Sequence, residues 1–167
     1  LHSLIAEIYS MYAFNNQWQL RQRTEIVGEA PSADMREWTA NMFVEKVRTN
    51  VREAMADSVL LLNTSSRTYI PFVELGETSE YYHLLATRGI VALQQVAGLD
   101  RATPVEDISE DSSAEKESSV KQDIIAIYGN MIAAYKASGL KEGYVLTALS
   151  YLEWRRDSDR NIRPFGL

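Results

Sequence analysis

The sequence predicts an all-α protein, an antiparallel helical bundle or short helical array of about five helices that ends in an αα-hairpin. Apolar residues recur at three- and four-residue steps through most of the chain, the spacing that lines one face of a helix. Short clusters of Gly, Pro, Ser and Asn interrupt that pattern where helices are expected to stop. At 167 residues the chain fits one ordinary domain, a size that buries roughly 70% of the surface an unfolded chain exposes.

The first helix begins at Leu1, and Leu1, Leu4, Ile5, Ile8, Tyr9, Tyr12 and Ala13 predict its buried stripe. Asn15-Asn16 can loosen it, with Trp18, Leu20 and the following arginines carrying it to about residue 23. Gly28 and Ala30-Pro31-Ser32 then break the pattern, because the residue before a proline is pushed out of the α region. Ser32 or Asp34 can cap a long second helix from about Met35 through Trp38, Phe43, Val47 and Val51 to Val59-Leu60-Leu61-Leu62. Ile70-Pro71 starts a short helical turn over Phe72, Val73 and Leu75, and Thr78 or Ser79 caps a third helix through Tyr81, Leu84, Ile90 and Leu93. Gly98 stands where a left-handed C-terminal residue is wanted, and Gly89 permits close approach of another helix. The closing hairpin is a helix through Ile124, Tyr128, Met131 and Tyr135, a turn at Gly139, and a helix through Tyr144, Leu149, Leu152 and Trp154. It resembles tetratricopeptide units in style, although no 34-residue period recurs along the chain. Tyr128, Tyr135, Tyr144 and Tyr151 are expected to face the first three helices.

Organisation follows from these elements. Residues 1–97 form the N-terminal helices of the domain, 98–118 an acidic flexible connection, 119–157 the C-terminal hairpin of the same domain and 158–167 a tail. The connection carries Glu106, Asp107, Glu110, Asp111, Glu115 and Glu117 among serines, the composition of a solvated segment. The chain opens in mid-helix without a start Met, which reads as a piece of a longer polypeptide and places any export signal or lipid anchor upstream of Leu1.

Composition narrows the function classes. The absence of cysteine excludes disulfides, a thiolate nucleophile and a Cys-ligated metal within these residues. A net charge of -6 argues against general nucleic-acid binding, which needs a basic surface to displace counterions from phosphates. No run approaches the ~18–20 apolar residues of a membrane span.

Motifs for catalysis are weak. Glu80-x-x-His83 puts a carboxylate and an imidazole on one helix face, but a carboxylate-bridged metal bundle needs two such motifs, and His2 has no Glu three residues before it. Asp107-x-Ser109-x-Asp111 begins like a calcium loop, yet Ser112 and Ser118 occupy the positions that require Gly and a bidentate Glu. There is no nucleophile elbow and no Gly-rich phosphate loop. The chain is therefore read as a non-enzyme, with no cofactor and no metal. Arg21, Arg23, Arg155, Arg156, Arg160 and Arg163 form two basic clusters at helix ends, where cations suit the helix dipole. A sharper role for Arg21, Arg23, Arg155, Arg156 and Trp18 is a protein-docking surface. Trp18 and Trp38 themselves read first as edges of the core.

Three segments in order carry a family resemblance. Leu1, Ser3, Leu4, Ala6, Glu7, Tyr9 and Tyr12 follow the pattern L-x-S-L-x-A-E-x-Y-x-x-Y, with Asn16, Trp18, Arg23 and Thr24 after it. Asp34-x-x-x-Trp38 precedes Phe43-x-x-Lys46-Val47, and Tyr82-His83-Leu84-Leu85-Ala86-x-Arg88 matches Y-D-x-L-A-x-R apart from His83. Over roughly residues 1–97 this is similar to the helical N-terminal region of bacterial alpha-2-macroglobulin-like proteins. The resemblance implies an extracytoplasmic location, in the periplasm or cell envelope, within a large endopeptidase-inhibitor protein. It also implies that the partners are other domains of the same polypeptide, with a further protein partner beside them. The working parts of that family, a thioester Cys and the β-rich macroglobulin modules, have no counterpart in this sequence, so no functional residue carries across. The expected function is a non-catalytic spacer or docking module; the alternative is a free-standing helical adaptor that binds a protein segment in an interhelical groove.

Overall fold

A computed structural model describes residues 1–23, 32–69, 80–100 and 118–161. Among these residues the protein is all-α, with seven helices and no strand: α1 His2–Asn15, α2 Gln17–Gln22, α3 Ala40–Ala54, α4 Ser58–Leu62, α5 Tyr81–Val96, α6 Ser119–Ser138 and α7 Lys141–Asn161. The count exceeds the expected five because two predicted helices are each divided. At Asn16 the backbone turns (φ -114°, ψ 18°) while its N–H still donates to the Tyr12 carbonyl, and its side-chain amide donates to the same oxygen. The predicted 35–62 helix becomes a 3-10 turn at Met35–Glu37, then α3, then α4, with the break at residues 55–57. Asp34 accepts from the Arg36 N–H to start the 3-10 turn, and Thr39 Oγ1 accepts from the Met42 N–H to cap α3. The predicted turn over 70–75, the caps Thr78 and Ser79, and the acidic run 105–117 lie outside the described residues.

The chain divides into two compact units that interleave in sequence. The first contains residues 1–57 and 85–124. In it α1 lies along α3, and Tyr9, Tyr12, Trp38 and Phe43 form an aromatic cluster with ring centroids 5.1–6.5 Å apart. Phe43, Val47, Val51, Leu93, Val96, Leu99 and Val120 are buried there. Gly89 permits close approach as expected: a Cβ at that position would lie 2.9 Å from Val51 Cγ1. The start of α6 is fixed by Asp100, whose carboxylate accepts from the Val120 N–H at 2.9 Å and from the Ser119 hydroxyl. A carboxylate at a helix N-terminus satisfies orphan donors and suits the dipole. Arg48 and Arg52 of α3 both bind Asp123 of α6, Arg48 Nε at 2.5 Å from a carboxylate oxygen.

The second unit contains residues 58–84 and 125–167. Its hairpin turns at Gly139, whose φ of +69° requires a residue without a Cβ penalty, so Gly139 and not Gly98 is the left-handed C-terminal residue. Gly98 instead sits in a 3-10 turn at Ala97–Leu99, where a Cβ would meet Arg21 Nη2 at 3.1 Å. Gly143 at the start of α7 lets the Tyr135 ring lie flat on that helix, since a Cβ there would fall 2.6–2.8 Å from three ring carbons. Of the four hairpin tyrosines, Tyr135 is fully buried with its ring edge-on to Tyr82. Tyr128 packs on Tyr151 and Trp154 of the hairpin, and Tyr144 is exposed, which corrects the expectation of contact for Tyr144. Burial raises the pKa of the Tyr82 and Tyr128 hydroxyls. Helix α7 continues to Asn161, past the expected start of the tail at 158.

Candidate functional site

Helix α1 carries two apolar faces of different character. The inner face is made of small residues at helical steps, Ala6, Ser10 and Ala13, all 1% exposed or less. Ser10 Oγ donates to Gln95 Oε1 at 2.7 Å, which satisfies the one polar group on that face. The outer face holds the large residues Leu1, Leu4, Ile8, Met11, Phe14 and Trp18, whose exposures run from 49% to 88%. The expected buried stripe is thus corrected: Leu1, Leu4 and Ile8 point to solvent, Ala13 is buried, and Tyr9 and Tyr12 are half-buried at the flank. Helix α1 lies along α3, where Tyr9 and Tyr12 meet Phe43, and Ser10 of the small face reaches Gln95 of α5.

The outer residues Leu1, Leu4, Ile8, Met11, Asn15 and Trp18 follow the 3-4 spacing of a coiled-coil seam. No Asp, Glu, Lys or Arg occupies an exposed position from Leu1 to Gln19. Glu7, at the border, is paired with Arg88 at 2.5 Å. A second apolar stripe lies on α7, where Val145, Leu149 and Leu152 are 51–63% exposed beside Tyr144.

The predicted docking residues separate. Trp18 is 73% exposed and belongs to the α1–α2 stripe rather than to the core, whereas Trp38 is 6% exposed, with its indole N–H donating to the Ser32 carbonyl at 2.6 Å. Arg21 Nη2 donates to the Gly98 carbonyl at 3.1 Å and Arg23 Nη1 to the Trp38 carbonyl at 2.7 Å. Both therefore tie backbone segments of the first unit together. Arg155 and Arg156 lie inside α7, not at its end; Arg156 pairs with neighbouring Asp157 at 3.2 Å. Arg163 lies outside the described residues. Within the first unit, nearby carbonyl acceptors take up Arg21 and Arg23, while Trp18 stays exposed. The signal that could have found the stripe was present in the spacing: small residues at 6, 10 and 13 opposite a heptad of large ones.

Of the motifs with chemistry, His83 Nδ1 lies 3.2 Å from the Tyr135 hydroxyl in the second unit. Among the described residues no three His, Cys, Asp or Glu side chains are grouped as metal ligands, and no helix is long and apolar enough to cross a membrane. Comparison with protein-family models, curated proteins and solved structures returned no match.

Proposed function

We propose that the chain is a non-catalytic helical domain of a large extracytoplasmic alpha-2-macroglobulin-like protein, where it serves as a spacer and docks protein through uncovered apolar helix faces. The observation that carries the docking reading is the outward direction of large side chains on α1–α2 and on α7. A helix that meets only water on one side keeps that side polar, and helical arrays end in polar-faced helices for the same reason. Contiguous apolar patches beyond a few hundred Å² mark interaction sites. The assignment to a macroglobulin-like parent is supported by the order and spacing of the three motif segments between Leu1 and Arg88.

Immunoblotting of fractionated producer cells with an antibody raised to the domain tests the parent. A band far larger than 18.9 kDa in the envelope fraction is expected. A band near that mass in the cytosol would overturn it. Docking through α7 is tested in the native polypeptide with Leu149→Lys, which is expected to raise the susceptibility of that helix to limited proteolysis. Unchanged cleavage would show that nothing covers the face.

A further inference from the structure

The geometry points to a second copy of this chain as the occupant of the Leu1–Trp18 face, packed antiparallel along α1–α2. This rests on the reading of that face as a docking surface and adds who docks there. Four observations support it. The seam has the 3-4 spacing that fits a facing helix rather than a loop or a strand. With about 200 Å² for a large apolar side chain, the six exposures leave on the order of 700 Å² on one face, close to the about 800 Å² per partner of a standard interface. The exposed positions from Leu1 to Gln19 carry no charged side chain, so a chain of net charge -6 meets its copy where like charges are absent.

The fourth observation is the distribution of side-chain size. The seam begins at Leu1 and Leu4 and ends at the much larger Trp18, with Ile8, Met11 and the smaller Asn15 between them. A two-fold contact must be self-complementary. Reversing the partner places Leu1 opposite Trp18, Leu4 opposite Asn15 and Ile8 opposite Met11. The largest residue, Trp18, then meets the end residue Leu1 and the middle layer pairs Ile8 with Met11, so the two ends of the contact are equal in bulk. A parallel pairing would stack Trp18 on Trp18 at one end and leave a gap between Leu1 residues at the other.

The test uses the full 167-residue chain in sedimentation equilibrium at protein concentrations from about 1 to 100 μM, a range suited to a standard-size interface of modest affinity. A monomer–dimer equilibrium is expected. Ile8→Glu and Met11→Glu should each weaken it at least tenfold with unchanged helical circular dichroism, and Leu149→Glu should leave it as in the parent sequence. Because the chain has no cysteine, single introduced thiols report direction. Under copper-phenanthroline oxidation, Leu4→Cys mixed with Asn15→Cys should cross-link as a heterodimer, and neither alone should do so. A monomer across the range, a dimer lost with Leu149→Glu but kept with Ile8→Glu, or cross-linking of either variant with itself would overturn the inference. None of those results would move the immunoblot band, so the two readings fail separately.

Discussion

Helices α1 and α3 lie along one another, yet the residues that they bury differ in size. Helix α3 buries Phe43, Val44, Val47 and Val51 and exposes Glu45, Lys46, Arg52 and Glu53, the arrangement of an ordinary amphipathic helix at a surface. Helix α1 buries Ala6, Ser10 and Ala13 and exposes Leu4, Ile8, Met11 and Phe14. The difference shows that apolar periodicity identifies a helix without identifying which face meets the core. On α1 the fully buried residues are small, with Ser10 reaching Gln95 of α5, while Tyr9 and Tyr12 meet Phe43 of α3 from the flank and Leu4, Ile8, Met11 and Phe14 stay outside.

Four substitutions distinguish the buried from the exposed face. Phe43→Ala removes a fully buried ring stacked on Tyr12 at 5.3 Å and is expected to cost about 3–5 kcal/mol in urea unfolding. A cost below about 1 kcal/mol would mean that the α1–α3 contact is loose. Ala13→Leu forces a large side chain into a fully buried position of α1 and should cost about 1–3 kcal/mol, although Leu is a good helix former. If it stabilised the chain, the small face would not be packed. Ser10→Ala leaves Gln95 Oε1 without its donor and should lower the thermal midpoint by an amount matching about 1 kcal/mol. At the other extreme Ile8→Asn, on the outer face of the same helix, should change stability by less than about 0.5 kcal/mol in dilute protein. A penalty like that of Phe43→Ala would place Ile8 in a core and remove the distinction between the two faces.

One acid-sensitive contact lies between the two helices in sequence. The Arg36 guanidinium and backbone N–H hold the exposed Asp34 carboxyl down at about 2, below its usual 3.8. A depressed carboxyl favours the folded state above its unfolded value, and that contribution is lost as the pH falls from about 4 through about 2. NMR titration should place the Asp34 midpoint near 2, and Arg36→Ala should return it toward the ordinary carboxylate value.

Much of the fold was legible because its signals were local. The closing hairpin follows from two long periodic runs with Gly139 between them, and α5 from Tyr81, Leu84, Ile90 and Leu93 before Gly98. The division of the predicted 35–62 helix was less legible, since an apolar run continues across it in Val59-Leu60-Leu61. Asp57-Ser58 was the available warning, because those residue types compete with helix interiors and favour starts. The site was read only in part. Trp18 is exposed, and two of the arginines grouped with it, Arg21 and Arg23, serve backbone carbonyls at Gly98 and Trp38, contacts 77 and 15 residues apart that no local pattern contains. The stripe beside Trp18 reads as core in the sequence because its residues are the large apolar ones of α1, whereas the residues packed inward are Ala6, Ser10 and Ala13.

The central claim, that the large side chains of α1 are uncovered in the single chain, is tested most directly by peroxide oxidation of dilute protein followed by peptide mass spectrometry. Met11 is 50% exposed and Met131 is 2% exposed, and oxidation follows access to the sulfur. Met11 should oxidise many times faster than Met131 in dilute protein and become protected as the concentration rises. Equal, slow oxidation of both at the lowest concentration would show that Met11 is buried within the chain and would contradict the account.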